Sequence, residues 1–148
     1  MIESVVTDST SLIGLERIGR LDILPGLFEP ILVPPAVQQE FGISLPWLQI
    51  VTPDIGIATS LKIVVDDGEA EAIALAYQQG LQIILDDQQA RKVVRNMGIS
   101  IIGTIGVLVK AKQAELISAL KPLLDRLEMN GFYMTSALKA EALKVVGE

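Results

Sequence analysis

Asp8 directly follows the β-branched run Val5-Val6-Thr7, and the pair Asp86-Asp87 follows the apolar run 81–85. Glu40 comes shortly after Pro34-Pro35, and Glu69 and Glu71 open the stretch that begins at Gly68. Carboxylates brought together repel and raise one another's pKa unless a cation neutralises them. A hard divalent ion such as Mg²⁺ or Mn²⁺, held by several carboxylates and waters, is the usual solution. Such an ion activates water for attack on a phosphodiester and stabilises the charge that develops on phosphate. Each acid also has a plainer role open to it. Asp8 and Asp86-Asp87 suit helix N-caps, Glu40 suits a solvated helix face, and Glu69 and Glu71 suit the first turn of a helix, where the dipole favours acids.

Composition narrows the chemistry. The 148 residues contain no His and no Cys. That excludes disulfides, thiol nucleophiles, Cys/His zinc sites and any mechanism with a histidine base. The formal net charge is −6, and such a surface normally repels nucleic acid and anionic membranes. Half of the residues are hydrophobic but only 4% are aromatic, the composition of helices packed over a buried, mostly parallel sheet. The longest uncharged stretches, 72–85 and 96–109, are 14 residues each and too short to span a bilayer. The first eight residues carry two acids and no base, unlike a signal peptide. The expectation is a cytoplasmic protein without a membrane segment.

The elements that must position the acids can be read from periodicity and punctuation. Strands are expected at Val5-Val6-Thr7, Ile31-Leu32-Val33, 47–51, 81–85 and 99–102. Ser9-Thr10-Ser11 is the expected cap of a helix stopped by Gly19, and a short helix spans 21–28. A helix opened by Pro34-Pro35 closes at Gly42. Asp66 or Asp67 caps a helix from Gly68 to Gln79, and helices follow at 88–97, 104–114, 117–129 and from Thr135 or Ser136 onward. Residues 53–65 give no clear signal. Strand–helix alternation with short apolar strands is α/β with a mainly parallel sheet. Right-handed crossovers then place all strand carboxyl ends, with Asp8 and Asp86-Asp87, on the edge where ligands bind in such folds.

Five stretches in this order resemble the PIN domain, in particular a compact prokaryotic PIN-like branch. They are residues 5–13 (Val5-Val6-Thr7-Asp8-Ser9-Thr10-Ser11-Leu12-Ile13), 33–40 (from Val33-Pro34-Pro35 to Glu40), 68–76 (from Gly68-Glu69-Ala70-Glu71 to Ala76), 83–91 (Ile83-Ile84-Leu85-Asp86-Asp87-Gln88-Gln89-Ala90-Arg91) and 103–108 (from Gly103-Thr104 to Leu108). The resemblance spans roughly residues 2–113. It implies a three-layer α/β/α fold with a mainly parallel central sheet and extra C-terminal helices, as one domain over 1–148. Residues 115–148 would then be a helical extension for packing or self-association.

The resemblance also implies a metal-dependent ribonuclease using Mg²⁺ or Mn²⁺, often the toxin of a toxin–antitoxin pair. Asp8 is similar to the family's first acid, and Thr10 to the small hydroxyl residue two positions later. Glu40 is similar to the second acid and Glu71 to the third, where Asp is commoner and Glu is one methylene longer. Asp87 is similar to the fourth, with Asp86 as the rival alignment. Asp8, Glu40, Glu71 and Asp87 are thus the expected metal ligands. An RNA substrate, an antitoxin protein and a homodimer are the expected partners.

Arg91 and Arg95, four apart on one helix, suit RNA phosphates or a solvated face. Gly103-Thr104-Ile105-Gly106 lacks the third glycine of a dinucleotide fingerprint. A non-catalytic PIN-like interaction module is the alternative function. A phospho-accepting receiver domain fits less well, because its acidic pair follows the first strand and here a single Asp8 does.

Overall fold

A computed structural model describes residues 2–148. Five strands form one sheet: β1 (Glu3–Thr7), β2 (Phe28–Val33), β3 (Leu48–Ile50), β4 (Gln82–Ile84) and β5 (Ile101–Ile102). Their order is β3-β2-β1-β4-β5, and every pairing is parallel, so the mainly parallel expectation becomes an all-parallel sheet. Nine helices are described: α1 (Ser9–Arg17), α2 (Ile23–Leu27), α3 (Pro35–Phe41), α4 (Ile55–Leu61), α5 (Asp67–Gln79), α6 (Gln88–Arg95), α7 (Thr104–Gln113), α8 (Lys121–Met129) and α9 (Ser136–Val145). The architecture is three-layer α/β/α.

Burial explains the aliphatic composition. Val5, Val6, Ile31, Val33, Ile83 and Ile84 are enclosed on both sheet faces, so the central strands read as continuous apolar runs. On α5, residues Ala72 to Ala76 are all buried, and the small alanines let this helix lie close to β1 and β4.

Three local points are decided by the structure. Of the two caps the sequence offers, Asp8 and not the Ser9-Thr10-Ser11 run caps α1, because its carboxylate reaches Ser11 N while the serines already lie in the first turn. Residues 53–65 contain α4, which is too short for clear periodicity and is capped by Asp54. The helix expected from residue 117 starts at Lys121, so that Pro122 falls in the first turn, where a missing N–H costs nothing.

The C-terminal helices are tied into the body of the fold. α8 packs on α1 and α9 on α7. Leu123, Leu124 and Leu127 join the core. The Glu148 carboxylate accepts from Leu120 N at 2.7 Å and Lys121 N at 3.1 Å, and so closes the start of α8.

Candidate active site

The chain runs outward from β1 to β3, then returns to lay β4 on the other side of β1. The strand order therefore reverses between β1 and β4, which is where open α/β sheets form a ligand crevice at their carboxyl ends. Asp8 leaves β1 and Asp86 leaves β4 at this point, 78 positions apart in sequence.

The two carboxylates are held by different groups. Asp8 is 4% exposed. Its Oδ1 accepts from Ser11 N at 3.0 Å and its Oδ2 from Asp86 N at 3.2 Å. Burial, followed by the charge of Asp86, pushes its pKa up to about 8, against the opposing pull of the two N–H groups and Arg91. Asp86 accepts from Thr104 N at 2.9 Å and from the Thr104 hydroxyl at 2.6 Å. Its carboxylate thus caps α7 from a neighbouring loop. Gly103 leaves the necessary space, since a Cβ there would lie 3.0 Å from Asp86 Oδ1 and overlap the Arg91 guanidinium.

A second acidic group lies along the same edge. Asp87 caps α6 through Gln89 N at 3.3 Å, and Glu69 faces it. Glu69 also closes a capping box with Asp66. Burial, then contact with Asp87, then the charges of Asp66 and Asp87 raise its pKa to about 8. Glu40 accepts a hydrogen bond from the Ser9 hydroxyl, beside Asp8 in sequence. Its Oε1 would lie 3.8 Å from a Cβ on Gly68, at the start of α5.

The residues expected from sequence divide accordingly. Asp8, Asp86, Asp87 and Glu40 gather along the carboxyl edge. Thr10 lies on the same cleft as Asp86 and Asp87. Glu71 does not join them: its Oε1 accepts from Ala36 N at 3.1 Å and its Oε2 pairs with Lys62 Nζ at 3.3 Å. Two positions on a helix differ by about 200°, so Glu69 faces the site when Glu71 faces α3. Arg91 is turned inward, with Nε donating to Leu85 O at 2.7 Å, whereas Arg95 is exposed in the last turn of α6.

Sequence reasoning counted Glu69 among the candidate acids but carried only Glu71 to the site, and it missed Thr104 and the turn between α8 and α9. For Glu69 the available signal was the Asp66-x-x-Glu69 spacing of a capping box. Phe132 and Tyr133, from the turn, line two clefts that also share Asp86. The first, of about 460 Å³, is completed by Thr10, Ile13, Arg17 and Asp87. The second, of about 470 Å³, runs between α7 and α9.

The donor chemistry fits a hard divalent cation, because the acids gathered here offer oxygen and two of them, Asp8 and Glu69, have pKa values raised in its absence. Among the described residues, however, no three acids form a ready metal cage. Pairs such as Asp8 and Asp86 match the way Mg²⁺ is commonly held, by one or two carboxylates with waters and substrate phosphate completing its shell.

The chain matches the sequence model of the DUF3368 family, a PIN domain, over residues 4–148, and it belongs to that family. The match includes α8 and α9, beyond the stretch of the first resemblance. PIN domains are generally nucleases and typically use divalent metals. No curated protein matches the chain. Among the described residues, no helix is long and apolar enough to cross a membrane.

Proposed function

We propose that this protein is a Mg²⁺- or Mn²⁺-dependent endoribonuclease that hydrolyses RNA phosphodiesters at the carboxyl edge between β1 and β4. The observation that carries this reading is the meeting of Asp8 and Asp86 at the reversal of strand order. Asp8 and Asp86 would hold the ion, with Asp87, Glu69 and Glu40 flanking it. When bound, the ion lowers the pKa of a bound water and stabilises the charge developing on phosphate. Thr104 fixes the Asp86 carboxylate before any substrate arrives, and Ser11 N fixes that of Asp8. Asp8 would have to be ionised to hold a cation, so metal affinity should rise with pH. Glu69, raised to about 8 beside Asp87, would accept a proton from the attacking water only in its ionised form, so this role would gain as pH rises toward 8. Arg95 is exposed and would be the one to meet a phosphate, while Arg91 is committed to Leu85 O beside Asp86.

The test is cleavage of a single-stranded RNA with Mg²⁺ or Mn²⁺, with EDTA as control. Asp8→Asn and Asp86→Asn should each lose about 100-fold or more, beyond the effect of changing an outer-shell group. Equal cleavage by wild type and Asp8→Asn overturns the assignment. The same proposal includes a toxin role, tested by growth arrest on induced expression that Asp8→Asn relieves. It also includes a homodimer, using exposed Ile50, Ile55, Ile63 and Val64, tested by light scattering.

One observation favours a second reading, a non-catalytic interaction module: no three acids form a metal cage among the described residues. Absence of cleavage across several RNAs and both metals would select it.

A further inference from the structure

We infer that Tyr133 is a base-stacking platform, and that the site therefore takes a single-stranded nucleic acid with an unpaired base laid on this ring. The inference rests on the nuclease reading of the same site. The chain has only six aromatic residues: one Trp, two Tyr and three Phe. Phe28 and Phe41 are buried, and Tyr133 is 84% exposed, far more than packing requires. It belongs to the turn between α8 and α9, and with Phe132 it forms a ridge between two clefts that both reach Asp86.

The ridge is anchored from beneath. Gly131 takes φ +90°, which turns the chain sharply. Phe132 N donates to Leu127 O at 2.9 Å. The Phe132 ring packs over Gly14 of α1, where a Cβ would stand 3.4 Å from it. Arg17 donates to Asn130 O at 3.4 Å from the same helix. On the far side Thr135 caps α9. Phe132 is thus the inward anchor of the turn, and Tyr133 beside it is the outward, exposed face.

Charge explains why such a face is useful. Nucleic-acid binding ordinarily draws most of its affinity from neutralised phosphates. A chain of net charge −6, with Asp86 and Asp87 set against Arg17 in the first cleft, has little of that to offer. The π-face of a base is uncharged, so stacking holds the strand without requiring a basic groove. Bases within a duplex keep their faces covered, and the ring then selects unpaired strands.

The test is the affinity of a fluorescent oligoadenylate of RNA, alone or annealed to its complement, with Mg²⁺ present and cleavage blocked by Asp8→Asn. In that background Tyr133→Ala should weaken single-strand binding roughly fivefold or more. Tyr133→Phe should retain it. Tyr77→Ala, which removes the other tyrosine at the opposite sheet edge beside Glu3 and Ser100, should also retain it. Unchanged affinity in Tyr133→Ala, or no binding by the parent, overturns the inference and leaves the ridge to a protein partner. Cleavage by wild type is scored separately. Tyr133-dependent binding without cleavage keeps this inference and sinks the nuclease reading, whereas cleavage with Tyr133-independent binding does the reverse.

Discussion

The backbone N–H of Asp86 donates to Oδ2 of Asp8 at 3.2 Å, so one acid of the site holds the other in place. The loop after β4 is thereby locked to the end of β1. The same residue turns its own carboxylate to Thr104, at the start of α7. Three βα junctions are therefore registered through two aspartates, and the Asp8 carboxylate is tied to the backbone that carries the Asp86 carboxylate.

Asp8→Asn separates the chemical role of Asp8 from its capping role. The amide oxygen can still accept one of the two N–H groups, and the buried group no longer has a charge to lose. Unfolding in EDTA should shift by no more than about 1–2 kcal/mol, while RNA cleavage is abolished. Urea denaturation beside a cleavage assay checks both. A collapse in stability would assign Asp8 to the fold alone.

Stability without metal should fall as pH rises. Asp8 moves from an ordinary 3.8 to about 8, so the native state binds its proton more tightly than the unfolded chain. Its contribution is complete below about pH 3.8 and is lost as pH climbs through 8. Glu69 acts in the same sense from 4.5 to about 8, muted by its greater exposure. The lowered pKa of exposed Asp125, beside Lys121 and Lys139, works oppositely but only in the acid range. Added Mg²⁺ should therefore raise the melting temperature more at pH 8 than at pH 5. A melting temperature in EDTA that climbs from pH 4 to 8 contradicts this.

The strand ends were legible because an acid interrupts each apolar run where burial stops, as at Thr7-Asp8 and Leu85-Asp86. The choice between neighbouring acids was not. Whether Glu69 or Glu71 faces the site depends on the rotation of α5, set by which alanines pack against β1 and β4. The resemblance favoured Asp87 with Asp86 as its rival; Asp87 caps α6 through one oxygen, while Asp86 meets Asp8 through its backbone N–H and Thr104 through its carboxylate. Tyr133 had no local signal at all, because its place depends on α8 packing against α1 and α9 against α7.

Glu69 and Glu71 should fail differently when replaced. Glu69→Gln removes a carboxylate facing Asp87 and should cut cleavage by about tenfold or more, with stability at pH 8 unchanged or improved. Glu71→Ala strips Ala36 N of its acceptor at the start of α3. The expected cost is about 1–3 kcal/mol of stability, with cleavage by the folded fraction largely kept. The half-exposed pair with Lys62 adds little to that figure. Activity lost in Glu71→Ala at full stability would return Glu71 to the site.

Gly103→Ala probes the clamp around Asp86 without touching a charged group. The backbone at Gly103, with φ −90°, accepts alanine readily, so any penalty comes from the added methyl. That methyl would overlap the Arg91 guanidinium and crowd Asp86 Oδ1 at 3.0 Å. Arg91 can swing away only by giving up its bond to Leu85 O, and Asp86 only by loosening its two bonds to Thr104. The expected cost is about 1–3 kcal/mol, together with a loss of cleavage of about tenfold. In an Arg91→Ala background the methyl has room, so the second substitution should cost at least about 0.5 kcal/mol less than it does alone. A double-mutant cycle by urea unfolding measures that coupling. Strict additivity would mean that Arg91 does not brace Asp86, and would free it for the phosphate role that its spacing from Arg95 first suggested.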